Sequence, residues 1–225
     1  MEPNLDKVIQ MRIKRTMENL EKNGMKALYA PDKESALSLL RSLLVPGETI
    51  GAGGSVTLSQ IGAIDLIRDP KYHFYDRYEK GLTKEQVLPI LKQAETADTF
   101  IGSTNALTET GLLYNVDGHG SRLGAYIFGP SKVIIVAGYN KIVPTIEDAI
   151  VRVKTISAPA NAIRLGYDTY CAKHGHCINM GLDRNNMMFP ATGACDSNLC
   201  NSAVVIGRQR PGRTTVIIVG EELGY

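Results

Sequence analysis

The order of elements along the chain predicts an α/β fold with a mainly parallel sheet and some antiparallel strands. Two observations carry this prediction. Short apolar runs alternate several times with amphipathic helical segments, as in chains that build parallel strands with helical connections. In the middle of the chain, two apolar runs flank the turn sequence DGHGS, which is typical of an antiparallel hairpin.

The helices are predicted from apolar periodicity and from start and stop signals. The first carries an apolar stripe, interrupted by Arg12, and ends at Asn23-Gly24. Capping-box patterns begin two later helices at Thr83 and Thr145. After the first helix, the predicted helices cover residues 32–44, 58–67, 83–96 and 145–154.

Short runs rich in apolar residues predict the strands 26–30, 49–50, 72–75, 98–101, 133–137 and 214–219. The hairpin is expected to pair residues 112–116 with residues 124–128 across DGHGS. The sequence contains no internal repeat, low-complexity tract or linker. We therefore expect one domain over residues 1–225, in which residues 168–203 form a cysteine-rich insertion before the last strand.

Composition limits the classes of partner. The chain has 225 residues, of which 44% are hydrophobic and 21% charged, as in ordinary soluble domains. Its 25 basic and 23 acidic side chains give a net charge of +2, which favours neither a nucleic acid nor a membrane surface as partner. The sequence contains neither an apolar run long enough to span a membrane nor the apolar core of a signal peptide. We expect a cytoplasmic protein.

Every cysteine of the chain lies in residues 171–200. Cys171 and Cys177 form one pair and Cys195 and Cys200 another, with 17 residues between the pairs. Clustered thiols in a cytoplasmic protein bind metal or act in redox chemistry more often than they form disulfides. The sequence therefore predicts a four-thiolate metal site. The wide spacing fits an iron–sulfur cluster at least as well as zinc, and free or disulfide-bonded thiols in a mobile flap are the other alternative.

A glycine-rich turn, GAGGSVT, joins a predicted strand to a predicted helix. Its backbone N–H groups and hydroxyls could together bind a carboxylate or a phosphate. The turn lacks the third glycine of a dinucleotide fingerprint and the lysine of a P-loop. A tight turn with a capping Ser or Thr is the alternative. The expected ligand-binding residues are Gly51, Gly53, Gly54, Ser55 and Thr57.

The stretch 102–122, GSTNALTETGLLYNVDGHGSR, follows a strand end and mixes hydroxyl, carboxylate and basic side chains. Glu109 and Asp117 are the candidate catalytic carboxylates, and Asn115 and Arg122 the candidate ligand-binding residues. The alternative for Asp117 and its neighbour His119 is that they only shape a hairpin turn.

Three stretches carry a resemblance to a known family: GAGGSVTLSQIGAID, then IGSTNALTETGLLYNVDGHGSRLGAYIFGPSKVIIVAGYNKIV, then the cysteine segment closing on VIIVGEELG. Over roughly residues 5–225 the chain resembles the LUD-domain family of lactate-utilisation proteins. The chain departs from the family pattern in the wider gap between Cys177 and Cys195 and in His119, where a smaller side chain is expected.

The resemblance implies a three-layer α/β/α sandwich, similar to the sugar-phosphate isomerase and CoA-transferase fold group. It also implies a phosphate or carboxylate at the glycine-rich turn. Members of the family are associated with the oxidation of L-lactate to pyruvate alongside iron–sulfur partner proteins.

The leading functional hypothesis is a redox-associated subunit that binds a small anion and an iron–sulfur cluster. Its alternative is an isomerase, transferase or ligase with Glu109 as base or nucleophile and a structural zinc. A third hypothesis is a regulatory or assembly protein with a structural metal. The basic residues Arg208, Arg210 and Arg213 leave open a contact with phosphate or with a partner subunit in a homo-oligomer.

Overall fold

The structure is a computed structural model that describes residues 2–180, 195 and 198–225. The helices in this part of the chain are α1 (Pro3–Lys22), α2 (Lys33–Leu43), α3 (Val56–Gln60), α4 (Ala63–Ile67), α5 (Lys84–Ala94), α6 (Ser121–Ile127), α7 (Ile146–Arg152), α8 (Ala158–Arg164) and α9 (Tyr170–His174). The strands are β1 (Lys26–Ala30), β2 (Thr49–Ala52), β3 (His73–Phe74), β4 (Thr99–Gly102), β5 (Ala106–Thr108), β6 (Leu113–Asp117), β7 (Lys132–Gly138), β8 (Ile142–Val143), β9 (Ser202–Ile206) and β10 (Thr214–Val219).

The strands form two sheets. The larger is a six-stranded parallel sheet in the order β1-β10-β7-β4-β2-β3. The smaller sheet has the order β8-β5-β6-β9, in which β6 runs antiparallel to both β5 and β9 while β8 is parallel to β5. The mainly parallel sheet with some antiparallel pairing confirms the predicted fold class.

Both faces of the central strands of the parallel sheet are buried, which explains why these strands are mostly apolar. On one face, helices α2, α3 and α4 pack against strand residues that include Ile50, Ile101, Ile134 and Ile217. On the other face, α1 and α6 pack against strand residues that include Phe100, Val133, Ile135 and Ile218. Each such aliphatic side chain contributes about 1.5–3 kcal/mol on burial, and the result is the three-layer α/β/α arrangement.

The predicted pairing of the hairpin is wrong. Residues 124–128 belong to helix α6 rather than to a strand, and β6 pairs instead with β5 and β9. The chain turns into the helix because the Asp117 carboxylate accepts the N–H groups of His119 and Gly120, and Gly120 adopts the left-handed conformation with φ +82°. Tyr126 is buried on the inner face of α6, and a buried side chain at this position is compatible with either a helix or a strand.

Other differences are smaller. The short strands β5, β8 and β9 were not predicted. The predicted helix 58–67 is divided into α3 and α4 at Gly62, whose φ is +75°. Residues 181–194, 196 and 197 of the predicted cysteine-rich insertion lie outside the described residues. None of the helices in the described part of the chain has the length and apolar character needed to cross a membrane.

The helix predicted at 145–154 continues to Arg164 through a π-helical turn, Val153–Ser157. In this turn the N–H of Ala158 donates to the carbonyl five residues earlier. The carbonyl of Lys154 would pair in the same way with residue 159, but Pro159 has no N–H to donate. The N–H of Cys177 takes this acceptor instead, at 2.8 Å, and so attaches the cysteine segment to the helix.

Candidate ligand cavity and cysteine segment

A cavity of about 620 Å³ lies at the carboxyl edge of the parallel sheet. From β2 the chain continues outward to the edge strand β3, whereas from β4 it continues to β7 on the other side. The crevice between β2 and β4 is therefore a topological switch point, where open α/β sheets bind ligands. The residues that follow β2, β4, β7 and β10 line it, among them Gly54, Ser103, Lys141 and Gly224.

The lining of the cavity is partly apolar and partly cationic. The apolar part includes Val87, Leu88 and Leu91 of α5. The charged part contains Arg77, Arg122, Lys141 and Arg164, whereas Asp117 is the one carboxylate side chain among the described lining residues. The volume is typical of pockets for ligands of about 300–1,000 Å³, so the cavity can admit a ligand larger than a three-carbon acid.

Lys141 lies in the floor of the cavity and is only 3% exposed. It ends the single turn of 3₁₀ helix after β7, so the carboxyl end of a central strand positions it. Its Nζ donates to Thr57 Oγ1 at 2.9 Å and to Ser103 Oγ at 3.0 Å. Burial, together with the charges of Arg152 and Arg122, lowers the pKa of Lys141 to about 7.

Arg122 holds the loop after β4 in place. Its guanidinium donates to the Ser103 carbonyl, the Asn105 side chain, the Asn115 side chain and the Val116 carbonyl, at 2.7–2.9 Å. Its Nε lies 3.4 Å from the Asp117 carboxylate. These contacts use all the N–H groups of the guanidinium. Arg122 therefore contributes positive charge to the cavity rather than a free hydrogen-bond donor.

The other predicted residues of the hairpin lie beside Arg122. Asn115 is fully buried behind it and does not line the cavity. The Asn115 side-chain oxygen accepts from Arg122, and its Nδ2 has no hydrogen-bond partner within the described residues. Asp117 lines the cavity, but its oxygens also serve the turn that begins α6. Asp117 thus shapes this turn, as in the structural alternative considered for it, and it also contacts Arg122.

The glycine-rich turn lies at the cavity, but only part of the predicted set lines it. Gly51 is part of β2, and the N–H of Gly53 donates to the Ile101 carbonyl at 2.9 Å. Ser55 caps α3 by accepting the N–H of Leu58 at 3.2 Å. Of the predicted set, Gly54 and Ser55 line the cavity, while Thr57 reaches it through its bond to Lys141. Arg122 and Lys141 add positive charge to this part of the cavity.

Glu109 lies outside the residues that line the cavity. Its carboxylate pairs with Arg12 at 2.9 Å and with Arg15, both on α1. Burial opposes its ionisation, but the hydrogen bonds from Arg15 and Arg12 outweigh burial and lower the pKa of Glu109. The interruption of the apolar stripe by Arg12 is thereby explained, because Arg12 also donates to the Ile142 carbonyl.

No disulfide joins the four described cysteines, and their thiols influence one another. Burial raises the pKa of Cys200 to about 12, and the neighbouring thiols of Cys171, Cys177 and Cys195 add to this effect. Cys200 also lines the ligand cavity, which the sequence gave no reason to expect. Within the described residues, no three His, Cys, Asp or Glu side chains converge in an arrangement that could hold a metal ion.

Sequence reasoning missed several residues of the cavity. Lys141 follows directly on the apolar run of β7, and its position at the carboxyl end of a central strand could have identified it. Ser103 lies at the corresponding end of β4. Arg152 does not line the cavity but supports the lining residue Asn105 from α7, by donating to its carbonyl. Nothing in the helical pattern distinguishes this buried arginine from a surface residue.

Comparisons with known proteins give a family match and similar solved structures. The LUD-domain family model matches residues 13–219. No curated protein matches the sequence. Among solved structures, the chain is similar to a crystal structure of a DUF162-family protein from Deinococcus radiodurans, with 16% identity and a TM-score of 0.46. The similarity covers 95% of this chain and 98% of that chain.

Proposed function

The chain belongs to the LUD-domain family and is a lactate-utilisation-type protein, and from this premise we propose that it is a redox-associated subunit of an L-lactate oxidising system. In this role it binds a small carboxylate or phosphate in the cavity at the carboxyl edge of the sheet. It also holds an iron–sulfur cluster on the cysteine segment and acts with iron–sulfur partner proteins.

The observation that carries the anion proposal is the charge balance of the cavity lining. Arg77, Arg122, Lys141 and Arg164 face one carboxylate, Asp117, among the described lining residues. That carboxylate is already engaged by Arg122. Like charges gathered in a partly buried space repel one another, so a bound anion would lower the electrostatic free energy of the folded protein.

Two of these arginines have donors available for a ligand. Arg77 lies 5.5 Å from the centroid of the Tyr78 ring and makes no hydrogen bond to another described residue. Arg164 donates through Nε and Nη2 to Asn161 and Tyr225, which leaves its Nη1 available in this part of the chain. An arginine with free N–H groups is the side chain best suited to a carboxylate or a phosphate.

Isothermal titration calorimetry tests the anion proposal. The ligands are L-lactate, pyruvate, oxalate and inorganic phosphate, with neutral lactamide as the uncharged comparison. We expect at least one anion to bind, and Arg164→Gln to weaken that anion at least roughly tenfold, as loss of a charge-assisted bond predicts. Lys26→Met removes one charge at the amino edge of the sheet and serves as the control. Binding of lactamide as tight as that of lactate, or no binding of any anion, would contradict the proposal.

The cluster proposal is supported by the donor set. The thiols are not joined in disulfides, and the pKa of Cys200 is raised partly by the other three, Cys171, Cys177 and Cys195. Four thiolates are the usual ligands of iron–sulfur clusters and of structural zinc. These four residues would hold the group, and a cluster would supply one-electron transfer next to the ligand cavity.

Anaerobic purification tests the cluster proposal, with the visible spectrum and the contents of iron, sulfide and zinc measured on one sample. We expect near-equal iron and sulfide and visible absorption. Each of Cys171→Ser and Cys200→Ser should lose both, whereas His174→Gln, a change in the same segment, should keep them. Stoichiometric zinc without iron would replace the redox role by a structural one, and a metal-free protein would refute the four-thiolate site.

A further inference from the structure

We infer that Lys141 Nζ is a nucleophilic amine that forms an imine with the carbonyl group of a 2-oxo acid bound in the cavity. The inference rests on the proposed function, since it takes the anion of the cavity to be a carboxylate. The inference assigns a covalent reaction, with Lys141 Nζ as the reacting atom, to a cavity proposed above only to bind an anion.

The hydrogen bonds of Lys141 match a neutral amine. Its Nζ contacts two acceptors, the hydroxyls of Thr57 and Ser103. Thr57 Oγ1 in turn lies 3.3 Å from the Leu223 carbonyl, to which it donates, so it has lone pairs free to accept from the lysine. A neutral amine has two N–H donors, and both are used here. Its lone pair is then left free, whereas the charged form would have a third N–H without an acceptor among the described residues.

The charged groups around Lys141 favour the neutral amine as well. Arg122 on α6 and Arg152 on α7 lower its pKa, after burial, which is the largest cause. Arg122 reaches the Ser103 carbonyl, and Arg152 reaches the Asn140 carbonyl next to Lys141. Asp117 on β6 is paired with Arg122. A buried lysine next to other cations is a recognised means of producing an amine nucleophile at neutral pH.

The backbone after β10 closes the other side of the amine. A side chain on Gly224, whose φ is +60°, would lie 2.5 Å from Thr57 Oγ1 and 3.3 Å from Lys141 Nζ. The close approach of this glycine keeps bulk water from the amine on that side, while the cavity leaves the other side open to a ligand. Restricted water favours an imine, because water is a product of its formation.

The step balances as follows. The Nζ lone pair attacks the carbonyl carbon, and the C–O π electrons move to the oxygen, which takes up a proton to give a carbinolamine. Loss of water from the carbinolamine then forms the C=N bond. The hydroxyls of Ser103 and Thr57 lie within hydrogen-bond distance of Nζ and can relay the proton that leaves the nitrogen. The carboxylate of the 2-oxo acid would lie against the cationic lining.

Reductive trapping tests the inference on the full-length protein. We would incubate it with pyruvate and sodium cyanoborohydride near pH 7 and map the modified lysines by mass spectrometry. About half of Lys141 is neutral there, against roughly one part in a few thousand for an ordinary lysine. We expect Lys141 to be modified at least roughly tenfold faster than exposed Lys26. Lys141→Arg, which keeps a long basic side chain but has no nucleophilic amine, should abolish that adduct.

Oxalate separates the inference from the proposed function, because it is an anion without a ketone. If the amine reacts in the anion site, excess oxalate should protect Lys141 from trapping. Calorimetric binding of oxalate and pyruvate without an adduct at Lys141 would overturn the imine and leave the anion site intact. Absence of both binding and trapping would overturn both. Trapping at the same rate on Lys26 and Lys141 would show a nonspecific surface reaction and would also overturn the inference.

Discussion

Replacement of Glu109 by Gln should lower the stability of the protein and leave ligand binding unchanged. The carboxylate joins the β5–β6 turn to α1 through Arg12 and Arg15, and the Glu109 carbonyl accepts from Asn19. Its side chain is 17% exposed, while those of Arg12 and Arg15 are 33% and 54% exposed. Half-exposed pairs contribute about 0.2–1 kcal/mol and buried charged hydrogen bonds about 1.5–3 kcal/mol, so we expect a loss of about 1–2 kcal/mol.

This loss should depend on pH in a defined direction. The folded pKa of Glu109 is lower than the ordinary value of 4.5, so its contribution to stability is fully present above about pH 4.5. The contribution disappears as the pH falls through the folded pKa. The free energies of unfolding of wild type and Glu109→Gln should therefore differ most at neutral pH and converge in acid.

Guanidinium denaturation and differential scanning calorimetry measure the effect. A chain of this length loses about 2–4 °C in Tm for each kcal/mol, so the expected shift is about 2–8 °C at pH 7. Glu34→Gln, whose carboxylate is 73% exposed and lies 3.9 Å from Lys33, is the control and should change little. A Glu109→Gln protein with unchanged stability but no ligand binding or turnover would refute the reasoning and restore Glu109 as a functional carboxylate.

Three further predictions concern the cavity and its neighbourhood. Gly102→Ala should be strongly destabilising, by at least about 2–3 kcal/mol in denaturant titration, because the new methyl group would lie 1.9 Å from the Tyr126 hydroxyl. Oxalate binding near pH 7 should be accompanied by proton uptake, since a bound anion stabilises the charged form of Lys141 and raises its pKa from about 7. Calorimetry in buffers of different ionisation enthalpy measures the number of protons taken up, and proton release on binding would contradict the prediction. Pro159→Ala should restore an N–H that competes for the Lys154 carbonyl, so the Cys177 amide should exchange with deuterium faster than in wild type.

The sequence predicted those parts of the fold whose pattern is set by burial alone. Strands β7 and β10 are buried on both faces, and a short continuous apolar run is typical of such a strand. The helix starts at Thr83 and Thr145 were also predictable, because their capping boxes are local and both are formed. Local signals of this kind do not depend on the rest of the chain.

Helix α6 was missed because its short run GAYIF, residues 124–128, suits both a strand and a helix. Leu123, Ala125 and Tyr126 are buried, and the segment is short enough that period alone cannot distinguish a strand from a helix. Tertiary contacts decide which structure forms. The strand that pairs with β6 in place of residues 124–128 is β9, which lies more than eighty residues later in the chain. Non-local pairing of this kind leaves no signal near residue 120.

The candidate site was predicted as separate pieces. Residue type identified the cysteines, the glycine-rich turn and Arg122. Residue type also suggested Glu109, which lies outside the cavity. The β5–β6 turn directs Glu109 towards α1, and the only hint in the sequence was Arg12, a charged residue on an apolar stripe. A misplaced charge on a buried face often indicates a partner elsewhere in the chain.

The two predicted sites are connected through one helix. Arg152, at the end of α7, supports the cavity by donating to the Asn105 carbonyl and to Ser157 across the π-helical turn. Two residues later, the Lys154 carbonyl, left without a helical donor by Pro159, receives the N–H of Cys177. The proline that interrupts the regular helix thus creates the attachment point of the cysteine segment. The π-helical turn and the residue before it therefore carry contacts to both the cavity loop and the cysteine segment.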